Sequence, residues 1–128
     1  MINGVKIICL CGSTRFTEEM LIKQWELTKQ GIVVLSWCAL PDSYFDQIGS
    51  RDRTHIGDQE GVKRIVDEVH KRKIDISDEV FVIDTGKATK GMTYIGESTT
   101  SEMSYAYEHN KPIHFASGGQ ALEENWNH

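Results

Sequence analysis

Four short runs of apolar, largely β-branched residues constrain this 128-residue chain more than anything else in it. They are Val5-Lys6-Ile7-Ile8-Cys9-Leu10-Cys11, Ile32-Val33-Val34-Leu35-Ser36-Trp37, Val80-Phe81-Val82-Ile83-Asp84 and Ile113-His114-Phe115-Ala116. Runs this short and this continuously apolar read as strands buried on both faces, the pattern of a parallel sheet. Three segments of helical period lie between them. Phe16, Met20, Gln24, Leu27 and Thr28 predict the first helix, with Ser13, Thr14 and Thr17 as cap candidates and Gly31 as its stop. Val62, Ile65, Val66, Val69, Lys73 and Ile76 predict a second over about 59–76, and a third follows over about 99–109.

Strands alternating with helices give an α/β fold. The expected architecture is a three-layer sandwich around a small parallel sheet of four to five strands, flavodoxin- or Rossmann-like. At 128 residues the chain suits one domain over 1–128, with its core at about 5–116 and a polar tail, 117–128, expected to fray. Sheets of this kind bind ligands beyond the carboxyl ends of their strands, near the point where strand order reverses. Residues 12–15, 37–61 and 84–102 fall there. The middle segment lacks periodicity but holds Trp37, Tyr44, Phe45, Arg51, Arg53 and His55, so it reads as a functional lid ahead of the alternative, a disordered excursion.

Charge narrows the partners. The net charge of -5 offers no basic field for a nucleic acid polymer or an anionic membrane, although one arginine and a few amides suffice for a small anion. The amino terminus reads as neither a signal peptide nor a membrane anchor, so a cytoplasmic location is expected. Cys9, Cys11 and Cys38 make no complete disulfide framework. Cys9 and Cys11 alternate along a strand and face the same way, as buried reduced thiols do. Zinc would need closer ligand spacing and nearby histidines, so no metal and no cofactor are expected.

Two motifs can carry chemistry. Gly12-Ser13-Thr14-Arg15 stands where a strand turns into a helix. Glycine permits the sharp turn, the hydroxyls and amides face the helix amino end, and Arg15 offers a planar fork to a phosphate. Helix capping by Ser13 or Thr14 explains the same residues equally well. The second motif runs from Gly96 through Glu97, Ser98, Thr99, Thr100, Ser101 and Glu102 to Ala106. Thr99 and Glu102 have capping-box spacing, which the residues alone favour, while a carboxylate there could also attack the anomeric carbon of a ribose.

Taken in order, Cys11 to Arg15, the run Ile74 to Ile83, and Gly96 to Ala106 resemble the nucleoside 2-deoxyribosyltransferase superfamily. That superfamily includes the deoxynucleoside 5′-monophosphate N-glycosidases, and the resemblance covers residues 5–116. It implies an α/β sandwich that cleaves or transfers an N-glycosidic bond, with a small-molecule nucleoside or nucleotide as ligand. Its nucleophilic glutamate matches Glu102, and its sugar- or phosphate-holding turn matches Gly12, Ser13 and Arg15. The resemblance places Gly96 and the hydroxyls of Ser98, Thr99 and Thr100 in the loop that holds a 5′-phosphate. Asp84 would meet a sugar hydroxyl, Asp78 would be structural, and Trp37, Tyr44 or Phe45 would stack on the base. Members often complete their sites across a dimer, which leaves a homodimer or larger homo-oligomer open.

The chain departs from the family pattern at one point. The carboxylate that protonates the leaving base, eight positions before Asp78, is replaced by His70, with Asp75 about one turn later. A histidine with an ordinary pKa of about 6.5 can protonate a base at neutral pH. Alternatively, His70 is a helix-surface residue and the acid is lost. A non-catalytic nucleotide-binding sensor therefore stands beside the enzyme reading. The stretch 96–102 also faintly resembles the signature of ribonucleotide phosphoribohydrolases.

Overall fold

A computed structural model of the protein describes residues 1–41, 43–44 and 61–118. Most of the expected lid and nearly all of the expected frayed tail lie outside the described residues.

Four strands form one sheet: β1 (Ile7–Gly12), β2 (Val33–Leu35), β3 (Glu79–Ile83) and β4 (Ile113–Phe115). Their order is β2-β1-β3-β4 and every pairing is parallel, with Ile8 opposite Glu79 and Gly12 opposite Ile83. The α/β reading and the parallel sheet of at least four strands are therefore correct. Among the described residues, three helices lie between successive strands: α1 (Thr17–Lys29), α2 (Lys63–Ile76) and α3 (Glu97–Glu108).

The chain leaves β1 toward β2 and then returns past β1 to β3, so strand order reverses between β1 and β3. Right-handed crossovers then put α1 on one face and α2 and α3 on the other. The packing agrees. Ile8, Leu10 and Ile83 bury against Phe16, Met20 and Leu27 from the α1 side. Cys9, Cys11, Val80 and Val82 bury on the other face against Ile74 of α2 and Met103 and Ala106 of α3.

Boundaries moved where tertiary contacts override local pattern. β2 is shorter than its apolar run because it is the sheet edge, where Val33 remains exposed. The first helix begins as a 3-10 turn, Thr14–Phe16, capped by Ser13, whose hydroxyl oxygen accepts from the Arg15 amide at 3.3 Å. Gly31 ends the helical segment with a φ of 82°, the left-handed region that glycine enters without strain. Asp78 is structural: its carboxylate accepts from the Ile7 amide at 2.7 Å and pairs with the amino terminus, tying the start of β1 to β3. Among the described residues no helix is long and apolar enough to cross a membrane.

Candidate functional site

A cavity of about 600 Å³ opens at the carboxyl end of β1, where strand order reverses. That volume lies within the range of about 300–1,000 Å³ usual for small-molecule sites. Its wall draws on the turn after β1, the segment after β2, one side of α2 and the amino-terminal half of α3. Of the residues the sequence singles out, the fold gathers Gly12, Ser13, Arg15, Trp37, His70, Gly96, Ser98, Thr99 and Glu102 around this one space.

Gly12 is required by close approach. A Cβ there would stand 2.8 Å from the Ile83 carbonyl oxygen and 3.0 Å from the Trp37 ring. The turn thus lets β1, β3 and the indole meet without a side chain between them. Gly96 is similar, since a Cβ would come within 3.2 Å of the Tyr94 hydroxyl.

Arg15 sits over the Tyr94 ring, its guanidinium carbon 4.0 Å from the ring centroid. Such a cation–π contact holds the guanidinium in place while leaving N–H groups for a ligand. Its Nε is buried without a partner, as is the indole Nε1 of Trp37. Buried donors without acceptors cost stability, so two such donors on one cavity wall are what an acceptor-rich ligand would satisfy.

Glu102 and His70 face each other at the junction of α3 and α2. Glu102 is 7% exposed, His70 is 4% exposed, and Oε2 of one lies 3.7 Å from Nε2 of the other. Burial pushes the Glu102 carboxyl up to about 7, while the His70 charge pulls it the other way. For His70, burial favours the neutral ring, but contact with Cys9 and the charge of Glu102 outweigh it and raise the pKa. Both groups are thus shifted upward from their ordinary values where they face each other.

The capping-box explanation of Glu102 does not survive. α3 starts at Glu97, two residues before Thr99, and its N-cap is Gly96 with no side-chain cap. The Gly96 carbonyl accepts from the Thr100 amide at 3.0 Å, which closes the first turn early. Glu102 is thus the sixth helical residue, and its side chain lies under the cavity. The helix-surface alternative for His70 fails as well, because the ring is buried against β1.

Three expected site residues lie elsewhere. Asp84 is fully buried just past β3, where its carboxylate accepts from the Ser117 amide at 3.0 Å and the Ser117 hydroxyl at 2.7 Å. It does not line the cavity, although its carbonyl accepts from the Tyr94 amide at 2.8 Å and so helps to hold the ring beneath Arg15. Asp75 points away from the cavity. It accepts from the Tyr105 hydroxyl and from Arg72 at 3.0 Å, contacts that keep its carboxyl below the usual range, Tyr105 contributing most. Thr100 is exposed and donates its hydroxyl back to the Gly96 carbonyl at 2.9 Å.

Some lining residues escape sequence reasoning. Asp67 and Lys63 pair at 2.8 Å on the α2 wall, and Lys73 donates to the Ser36 carbonyl at 2.8 Å beneath the β2 segment. Val66 and Val69 look like core positions by periodicity, yet they remain exposed, 41% and 49%, along the cavity rim. The fold also brings His70 to the cysteines: its Nε2 is 3.2 Å from Cys11 Sγ and 3.7 Å from Cys9 Sγ, across 59 and 61 positions of sequence.

The chain matches no family model, and no curated protein sequence matches it.

Proposed function

We propose that the protein cleaves or transfers the N-glycosidic bond of a nucleoside or nucleotide, with Glu102 as nucleophile. The observation that carries this reading is the placement of Glu102. It is a buried carboxylate at the base of a ligand-sized cavity, 3.7 Å from a histidine, with no capping duty to explain it. Glu102 attacks C1′ of the sugar and forms a glycosyl ester as the bond to the base breaks. His70 gives its proton to the departing base, then takes one from the water or second base that resolves the ester. The sugar is displaced twice, so its configuration is retained.

Arg15, seated over Tyr94 and carrying an unpartnered Nε, is suited to a 5′-phosphate, helped by the hydroxyls of Ser13, Ser98 and Thr99. Trp37 supplies an indole face and a free N–H on the same wall. One observation favours a second reading, a nucleotide-binding module without turnover: a histidine stands where the resemblance implies an acid, and Asp75, about one turn later, is not on the cavity wall.

Incubation with a panel of nucleosides and nucleotides, ribo and deoxyribo, followed by chromatography for free base, decides between them. Base release, together with a covalent adduct on the Glu102 peptide when a fluorinated deoxynucleoside is supplied, is the expected result. Binding of a panel member without release by the wild type would leave the sensor reading. Release confined to ribonucleotides would point to a phosphoribohydrolase.

A further inference from the structure

The fold places two thiols and an imidazole where the reaction above uses only one of the three. Cys9 and Cys11 project from the same face of β1, both fully buried, and His70 of α2 closes over them. The two sulfurs and the imidazole nitrogen all lie within 4.8 Å of one another. We propose that Cys9, Cys11 and His70 form a binding site for one thiolate-loving divalent metal ion of the zinc class.

The distances carry the argument. A tetrahedral ion with metal–sulfur bonds of about 2.3 Å and a metal–nitrogen bond of about 2.05 Å holds sulfur and nitrogen roughly 3.6 Å apart. The two sulfur–nitrogen separations here, 3.2 and 3.7 Å, bracket that value. Two thiolates on such an ion stand roughly 3.8 Å apart, so the sulfurs need close by no more than about an ångström. Rotation of the two cysteine side chains covers that change, and the strand need not move.

Since His70 lines the cavity, the ion has an entry path, and a group in the cavity can complete its coordination.

The chemistry of the donors fits the same ion. Two thiols and an imidazole within reach of one another are the donor set that a zinc-class ion prefers. On loading, each thiol gives up its proton, as does Nε2 if protonated, and those protons leave to solvent as the dication takes their place.

Loading would take the Nε2 lone pair of His70 away from proton transfer. A metal-loaded protein is therefore expected to be silent toward glycosidic bonds, while the site itself does not depend on that activity.

The test uses the full chain, reduced, stripped with chelator and titrated with Co²⁺ in place of Zn²⁺. The expected result is saturation at one equivalent, with a thiolate-to-cobalt charge-transfer band of two-thiolate intensity and the strong visible bands of a tetrahedral ion. One equivalent of Zn²⁺ should abolish both. Cys38→Ser should leave the spectrum unchanged, while Cys9→Ser, Cys11→Ser and His70→Gln should each weaken binding at least tenfold. Absence of the charge-transfer band at excess Co²⁺, or its loss in Cys38→Ser, overturns the proposal. If a ligand variant fails to fold, the wild-type and Cys38→Ser titrations decide it.

Discussion

The two faces of β1 are built from different chemistry. On the α1 side, Ile8 and Leu10 meet Phe16, Met20 and Leu27, and the contact is purely apolar. On the other side the same strand presents Cys9 and Cys11, and the helices above them contribute His70 and Glu102 among Ile74, Met103 and Ala106. Burying apolar surface stabilises the fold by about 25 cal/mol per Å². Burying ionisable groups opposes it, as the upward push on Glu102 records. One face of the sheet holds the domain together, and the other gives up part of that stability to keep reactive groups out of water. Such a division is common where a function requires what folding alone would not select.

Substitutions on the two faces should separate accordingly, and the largest effect belongs to Glu102. Glu102→Gln keeps the shape of the side chain and removes a carboxylate that burial already disfavours. Base release should fall by at least about a thousandfold, as it does when a nucleophile acting with a partner is removed, while the melting temperature stays within a few degrees of wild type. If the variant releases base at the wild-type rate, the reactive face carries no nucleophile and the contrast between faces has no catalytic meaning.

Next in size is a change on the apolar face. Leu10 is fully buried, so Leu10→Ala should cost about 2–5 kcal/mol in chemical denaturation. Cys9→Ala, one residue along on the opposite face, should cost no more than about 1 kcal/mol, the transfer value of one small apolar group. Both are to be measured with chelator present. Equal losses would show that the thiol face contributes to stability as much as the aliphatic one.

Arg15→Ala sharpens the comparison at the mouth of the cavity. A charge-assisted hydrogen bond contributes about 1.5–3 kcal/mol, so monophosphates should bind roughly 10- to 150-fold more weakly while nucleosides change little. Thermal shift reads the difference, since a ligand at a hundredfold excess over Kd stabilises by about 2.7 kcal/mol. Equal weakening of both ligand classes would deny Arg15 a phosphate role. The smallest effect is expected at Thr100, whose exposed hydroxyl bonds its own helix start. Thr100→Ala should shift stability by under about 0.5 kcal/mol and leave nucleotide affinity within twofold. A larger loss of monophosphate affinity would return Thr100 to the phosphate loop.

The sequence by itself determined the strands, the helices and the end of the sheet at which the cavity opens. Apolar β-branched runs and helical spacing are local properties, and a parallel sheet with right-handed crossovers leaves few topologies open. That is why Gly12, Arg15, Gly96 and Glu102 could be assigned to one region before any coordinates. Only the tertiary structure decided what those residues do to one another. Capping-box spacing at Thr99 and Glu102 was sound local evidence, yet the helix takes Gly96, three residues earlier, as its N-cap and leaves Glu102 on the cavity wall. Asp84 and Asp75 stand near the right strand and helix ends, but Ser117 and Tyr105, distant in sequence, claim their carboxylates. The meeting of Cys9, Cys11 and His70 leaves no trace in spacing at all. Strand direction fixes where the thiols point, but whether an imidazole 59 residues further on arrives above them depends on how α2 packs across β1, a contact made only when the whole sheet is assembled.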